Sequence, residues 1–168
     1  MQTPSVSLDE LLQRGYRYAV SLTHDPARAE DLLHDAWLAI LQAGGPRAVG
    51  YLFSSIRSRF INQTRHERLV PMVQWDEALE QGLLDSTGAG ENAADGRLRV
   101  SQGALERALS QLRPIEREAL YLATVEGYTA AEIADLTRQS RGTVLSLVHR
   151  ARAKLRRFLE QAQVGSQP

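Results

Sequence analysis

The residues of this chain that could do chemistry gather in two places of opposite sign. Between positions 138 and 157 stand Arg138, Arg141, Arg150, Arg152, Lys154, Arg156 and Arg157, without one acid. Cations at that density neutralise phosphates and give salt-dependent affinity for nucleic acid. Interleaved with them are Thr143 and Ser146, whose hydroxyls, like the arginines, suit base edges in a major groove. Between Leu69 and Gly96 the pattern inverts: Asp76, Glu77, Glu80, Asp85, Glu91 and Asp95 meet no Lys or Arg. The formal net charge of zero therefore conceals a polarised molecule, and the local footprint decides the partners.

Other chemistries are poorly supplied. With no cysteine in the chain, disulfides, Cys-ligated zinc and thiol catalysis are excluded. His24, His34, His66 and His149 offer no pair at i, i+4, so neither a metal site nor a cofactor is expected. No serine sits in a Gly-x-Ser-x-Gly turn and no glycine-rich phosphate loop is present. The chain reads as a binding protein and not as an enzyme. Its apolar runs fall far short of the roughly 20 residues that span a bilayer, and the N-terminus lacks a basic segment followed by an apolar stretch, so a cytoplasmic location is expected.

The elements that must position these residues are helical throughout. Ser7 with Glu10 is a capping-box pattern, followed by Leu8, Leu12, Tyr16 and Ala19 at helical spacing. Asp25-Pro26 reads as an N-cap with proline at the first helical position. The helix it starts carries an apolar stripe of Ala29, Leu33, Ala36, Trp37, Ile40 and Leu41, leaves Asp31, His34 and Asp35 outside it, and ends at Gly44-Gly45. A third helix, from about Tyr51 to Arg68, buries Leu52, Phe53, Ile56 and Phe60 and exposes Ser58, Asn62 and Arg65.

From Leu69 to about Val100 the periodicity fails, and the tract DSTGAGENAADG at 85 to 96 favours turns or disorder. Trp75 in that stretch is expected to pack on its own domain in preference to a partner. Four more helices follow. One spans Ser101 to Leu112, and Pro114 opens another that buries Ile115, Ala119 and Leu122 before Gly127 breaks it. A Thr129–Glu132 capping box starts a short helix, and Ser140 caps a long one from Arg141.

The last two, joined by Thr137 to Ser140, have the dimensions of a helix-turn-helix, whose second helix enters the major groove. At 100° per residue Val144, Leu147, Val148, Ala151, Leu155 and Phe158 share one side, while Thr143, Ser146, His149, Arg150 and Arg157 face away. The expected fold class is all-α. Two small helical domains, residues 1–68 and 101–163, are joined by a flexible acidic linker at 69–100, and the C-terminal domain is a four-helix unit containing the helix-turn-helix.

These residues carry a family resemblance. The stretch GYTAAEIADLTRQSRGTVLSLVHRARAKLR at 127–156 resembles the fourth conserved region of extracytoplasmic-function (ECF) sigma factors, through Glu132-Ile133-Ala134, Ser140, Gly142-Thr143-Val144 and Arg150-Ala151-Arg152. DPARAEDLLHDAWLAIL at 25–41 is similar to the second region, and YLFSSIRSRFINQTR at 51–65 to the helix after it.

The resemblance implies a transcription factor subunit that binds core RNA polymerase, at the beta-prime clamp helices and the beta flap. Glu30, Asp31 and Asp35 would meet the clamp helices. It implies promoter DNA read at a minus-10 element by Tyr51, Arg57, Ser58, Asn62 and Arg65, and at a minus-35 element by Ser140, Arg141, Thr143, Ser146 and Arg150. An anti-sigma partner and a monomeric free state are expected with it. The chain departs from the pattern at Leu145 and Leu147, where basic residues are common, at Arg59, where asparagine is usual, and in a short Ile40–Tyr51 gap. The alternative is a helix-turn-helix regulator that binds operators as a dimer without the polymerase.

Overall fold

The computed structural model describes residues 6–68 and 101–164, which form seven α-helices and no strand. The acidic linker and Trp75 lie outside the described residues. Helices α1 (Leu8–Thr23), α2 (Pro26–Gln42) and α3 (Val49–Arg68) form the first unit, each packed on the other two. Helices α4 (Gln102–Ser110), α5 (Pro114–Thr124), α6 (Ala130–Thr137) and α7 (Arg141–Val164) form the second, with α7 packed against α4, α5 and α6.

The helix starts follow capping chemistry. Ser7 Oγ accepts from the Glu10 N–H at 3.1 Å, and an Asp25 carboxylate oxygen accepts from the Ala27 and Arg28 N–H groups at 2.9 and 3.2 Å. Each satisfies amides that a helix N-terminus leaves unpaired. Thr129 and Glu132 close a reciprocal capping box at α6.

The apolar stripes of the first two helices are rotated from the expected ones. On α1 the buried residues are Leu11, Gly15, Tyr18, Ala19 and Leu22, whereas Leu8 is 48% exposed and Leu12 and Tyr16 are half-buried. On α2 they are Ala29, Leu32, Ala36 and Ile40; Leu33 and Trp37 are half-buried and Leu41 is 45% exposed. At Gly15 a Cβ would come within 2.7 Å of the Leu52 side chain and 2.8 Å of the Leu33 side chain, so both leucines pack directly on the backbone of α1. On α3, Leu52, Phe53, Ile56 and Phe60 are buried as the periodicity requires.

The two units are packed together. α1 lies against α5 and α3 touches α6. One buried cluster runs from Leu11, Tyr18, Leu52, Phe53 and Ile56 through to Leu122, Ile133, Ala134 and Val144. Tyr18 stacks on Phe53 with ring centroids 4.3 Å apart, and Tyr121 and Tyr128 reach these rings from the second unit at 6.2 and 6.3 Å. Smaller apolar clusters hold α7 to its own unit through Ile115, Ala119 and Leu147, and through Leu112, Leu120 and Ala151.

Candidate nucleic-acid interface

The turn before α7 is made by Arg138, which takes the left-handed conformation (φ 56°) and closes α6 with its N–H on the Ala134 carbonyl. Ser140 then caps α7: its Oγ accepts from the Thr143 N–H at 3.0 Å and lies 2.8 Å from the Thr143 hydroxyl. Arg141 at the helix start is exposed, and Thr143 and Ser146 are half-buried. His149, Arg152, Arg156 and Arg157 are exposed farther along. Leu145, one of the two leucines at positions expected to be basic, is 50% exposed, whereas Leu147 is wholly buried and belongs to the core.

Two of the expected cations are not free. Lys154 Nζ donates to both oxygens of Glu116 at 2.9 and 3.0 Å, so it anchors α7 to α5. Arg150, expected to face outward, is half-buried; its Nε donates to the Ser146 carbonyl at 3.4 Å, and its Nη2 is buried without a hydrogen-bond partner among the described residues. The guanidinium is folded back along the preceding turn of α7, the direction in which long helical side chains point.

On α3, Ser58, Asn62 and Arg65 are exposed at i, i+4 and i+7 and form one polar face. Tyr51 is 44% exposed, and its ring lies over Gly45, where a Cβ would meet it at 2.8 Å. Arg57 does not share this face. Its Nε donates to Glu118 of α5 at 2.9 Å, with side chains 14% and 3% exposed. Arg59, the departure from asparagine, donates to Ser55 Oγ at 3.0 Å.

On α2, Glu30, Asp31 and Asp35 are exposed beside Leu38 and Leu41, themselves 42% and 45% exposed. Acid flanked by uncovered apolar surface suits a protein partner better than DNA. Among the described residues no group of three or more His, Asp or Glu could hold a metal ion, and no helix is long and apolar enough to cross a membrane.

The periodicity of α5 gave no hint of its buried charges. Glu116, Arg117 and Glu118 are all buried. The Glu116 carboxyl is raised by burial, but bonds from Lys154, from the Arg113 N–H and from the Arg113 guanidinium outweigh this and hold it below its ordinary value. Burial raises Glu118, and the opposing pull of Arg57 and the Tyr18 hydroxyl does not cancel it. Tyr18, fully buried, donates to Glu118 at 2.6 Å, and burial together with that carboxylate pushes its phenol well above the usual range. The signal available in the sequence was three consecutive charges, Glu116-Arg117-Glu118, inside an otherwise apolar helix.

Comparison with known proteins bears on this geometry. Residues 8–69 match the family described as Sigma-70 region 2, and residues 102–155 that described as Sigma-70, region 4. The ECF RNA polymerase sigma factor SigL of Mycobacterium tuberculosis is 30% identical over 164 residues, which cover 89% of this chain and 84% of that protein. The chain belongs to the ECF sigma factors. As a member of that family it serves RNA polymerase in promoter-specific initiation and is not itself an enzyme. The sigma factor is also similar to CarQ of Myxococcus xanthus, at 28% identity over 152 residues covering 88% of this chain and 83% of that one. Among solved structures it resembles the sigma factor RpoE in complex with the anti-sigma factor NepR from Bartonella quintana, with TM-score 0.64 and 25% identity over 91% of this chain and 94% of that one.

Proposed function

We propose that this sigma factor reads a minus-35 element with the start of α7 and a minus-10 element with α3. The carrying observation is the open N-terminal end of α7, where exposed Arg141 stands beside Ser140 and Thr143 and no acid occurs from 138 to 157. Helix N-terminal amides and a guanidinium favour phosphate there, and Arg141, Thr143 and Ser146 carry the donors and hydroxyls that base edges accept. Arg150 would contribute after its guanidinium unfolds from the helix.

At the minus-10 element, Ser58, Asn62 and Arg65 would follow the backbone while Tyr51 offers an aromatic face to an unstacked base, a contact that contributes about 1–3 kcal/mol. Arg57 joins them only when Glu118 releases it. Glu30, Asp31 and Asp35, with Leu38 and Leu41, would meet the beta-prime clamp helices, and the second unit the beta flap. An anti-sigma factor is a further partner in this reading, supported by the likeness to the Bartonella sigma factor in complex with NepR. The domain bounds 1–68 and 101–163, a monomeric free state and a cytoplasmic location complete the reading.

Run-off transcription with core polymerase and host genomic fragments tests it. Specific starts that require both core and this chain are expected. Sequence-specific DNA binding by a symmetric dimer of the chain alone, with no new transcripts, would replace this reading with the polymerase-independent regulator.

A further inference from the structure

One apolar side chain stands uncovered in the middle of the cationic face of α7. At 100° per residue, Arg141, Arg152, Leu145, Arg156 and His149 follow one another round the helix within an arc of about 80°, with Leu145 at its centre. All five are exposed, Leu145 at 50%. Val144, Leu147 and Ala151 are wholly buried and belong to the apolar clusters that hold α7 in the fold. The core therefore accounts for Leu147 and not for Leu145.

Single exposed apolar residues are common on protein surfaces, so the surroundings decide what covers this one. Arg141 stands one turn before it, His149 one turn after, and Arg152 and Arg156 farther along, with no acid from 138 to 157. That arc complements a polyanion. Duplex DNA is a polyanion that also offers an apolar group in its major groove, the C5 methyl of thymine. Leucine has no donor or acceptor, so a methyl is the one feature of a base edge it can favour. Against cytosine it does the reverse, because the N4 amino group would lose water without gaining a partner. Thr143, the other methyl-bearing side chain near the helix start, lies about 160° round the helix from Leu145. Its hydroxyl is 2.8 Å from Ser140 Oγ, so it does not duplicate the contact.

We propose that Leu145 is a specificity-determining residue of this sigma factor, packing on the C5 methyl of one thymine in the minus-35 element. The inference rests on the minus-35 reading proposed above and deepens it by naming the chemical group that is recognised. The cations around Leu145 bind the backbone on either side and bring the leucine against the base edge. The helix start that aims it is fixed by Ser140, whose Oγ accepts from the Thr143 N–H at 3.0 Å. Leu145 follows Arg141 by about 6 Å along the axis, within the part of a recognition helix that enters the groove.

The test is filter binding of holoenzyme to the promoter that run-off transcription defines, with each thymine of the minus-35 element replaced in turn by deoxyuridine, which lacks only the C5 methyl. For the parent, one such replacement should weaken binding about fourfold, the effect of returning one CH₂-sized apolar group to water. In Leu145→Ala holoenzyme the same replacement should change binding by less than about twofold, the signature of a lost pairwise contact. The variant should fold as the parent does, since the side chain is half in water and alanine favours helix. Leu145→Lys, which puts a charge in place of the apolar surface, should also abolish the uracil effect while steepening the salt dependence. Uracil sensitivity of equal size in parent and Leu145→Ala overturns the contact, because another group then touches the methyl. So does a parent with no sensitive thymine whose binding still falls when base pairs of the element are changed. A holoenzyme indifferent to every base pair of that element defeats the minus-35 reading itself, and the Leu145 contact with it.

Discussion

Glu116→Gln is the sharpest test of how the reading helix is held. The side chain is fully buried and accepts from Lys154 Nζ, the Arg113 N–H and Arg113 Nη2, all between 2.9 and 3.1 Å. Glutamine keeps the shape and one acceptor but replaces the other oxygen with a donor that faces donors. Lys154 and Arg113 are 39% and 43% exposed, so both turn to water, and the 3–5 kcal/mol penalty of stranding a buried charge does not apply. What remains is lost charge assistance and one buried amide without a partner, about 2–3 kcal/mol. At 2–4 °C per kcal/mol for a chain of this size, the midpoint of thermal unfolding should fall by about 4–12 °C at pH 7.

The pH dependence has a definite sign. The folded-state value of Glu116 is depressed, so its contribution is fully present above the ordinary glutamate value of about 4.3 and is lost as pH falls through the lowered one. The gap between parent and variant should therefore be constant from pH 8 to 5 and shrink below about pH 4. Denaturation monitored by circular dichroism across that range measures it. A gap under about 0.5 kcal/mol at pH 7, or one that widens on acidification, would refute the assignment of Glu116 as the ionised anchor of α7.

Four further outcomes are expected. Arg141→Ala should weaken promoter binding by the holoenzyme by about 1–3 kcal/mol and relax selectivity at one position if it reads a base, or flatten the salt dependence uniformly if it holds a phosphate; filter binding over a salt series separates the two. Asp31→Lys with Asp35→Lys should slow association with core, most at low salt, as followed by surface plasmon resonance. Gly15→Ala should cost about 1–3 kcal/mol, because its methyl meets Leu52 and Leu33 inside 2.8 Å, read by urea denaturation. Asp25→Ala should cost about 1 kcal/mol through the lost α2 cap in the same assay.

Helix type and order were legible because capping and periodicity are local. Ser7, Asp25-Pro26, Thr129–Glu132 and Ser140 mark starts that the structure uses, and the stripe of α3 was readable because only one face of it is apolar. On α1 two apolar series run side by side at helical spacing. Leu8, Leu12 and Tyr16 look like the core, yet Leu52 and Leu33 pack on Gly15, which carries no hydrophobic signal at all. The exposure of Asp31 and Asp35 on α2 and of Ser58, Asn62 and Arg65 on α3 followed from polarity, but that of Leu41 did not. Arg57 and Arg150 were harder. The partner of Arg57 lies 61 residues away, Arg150 turns back on Ser146 of its own helix, and Glu118 looks from periodicity like any solvated acid.

The common core across the units has a thermal corollary. Tyr18 and Phe53 on one side and Leu122, Ile133 and Tyr128 on the other are shielded from water only while the halves stay together. The free energy gained by hiding such surface fades in the cold, since apolar hydration carries a positive heat-capacity change. Chilling thus loosens the apolar share of the contact between the halves.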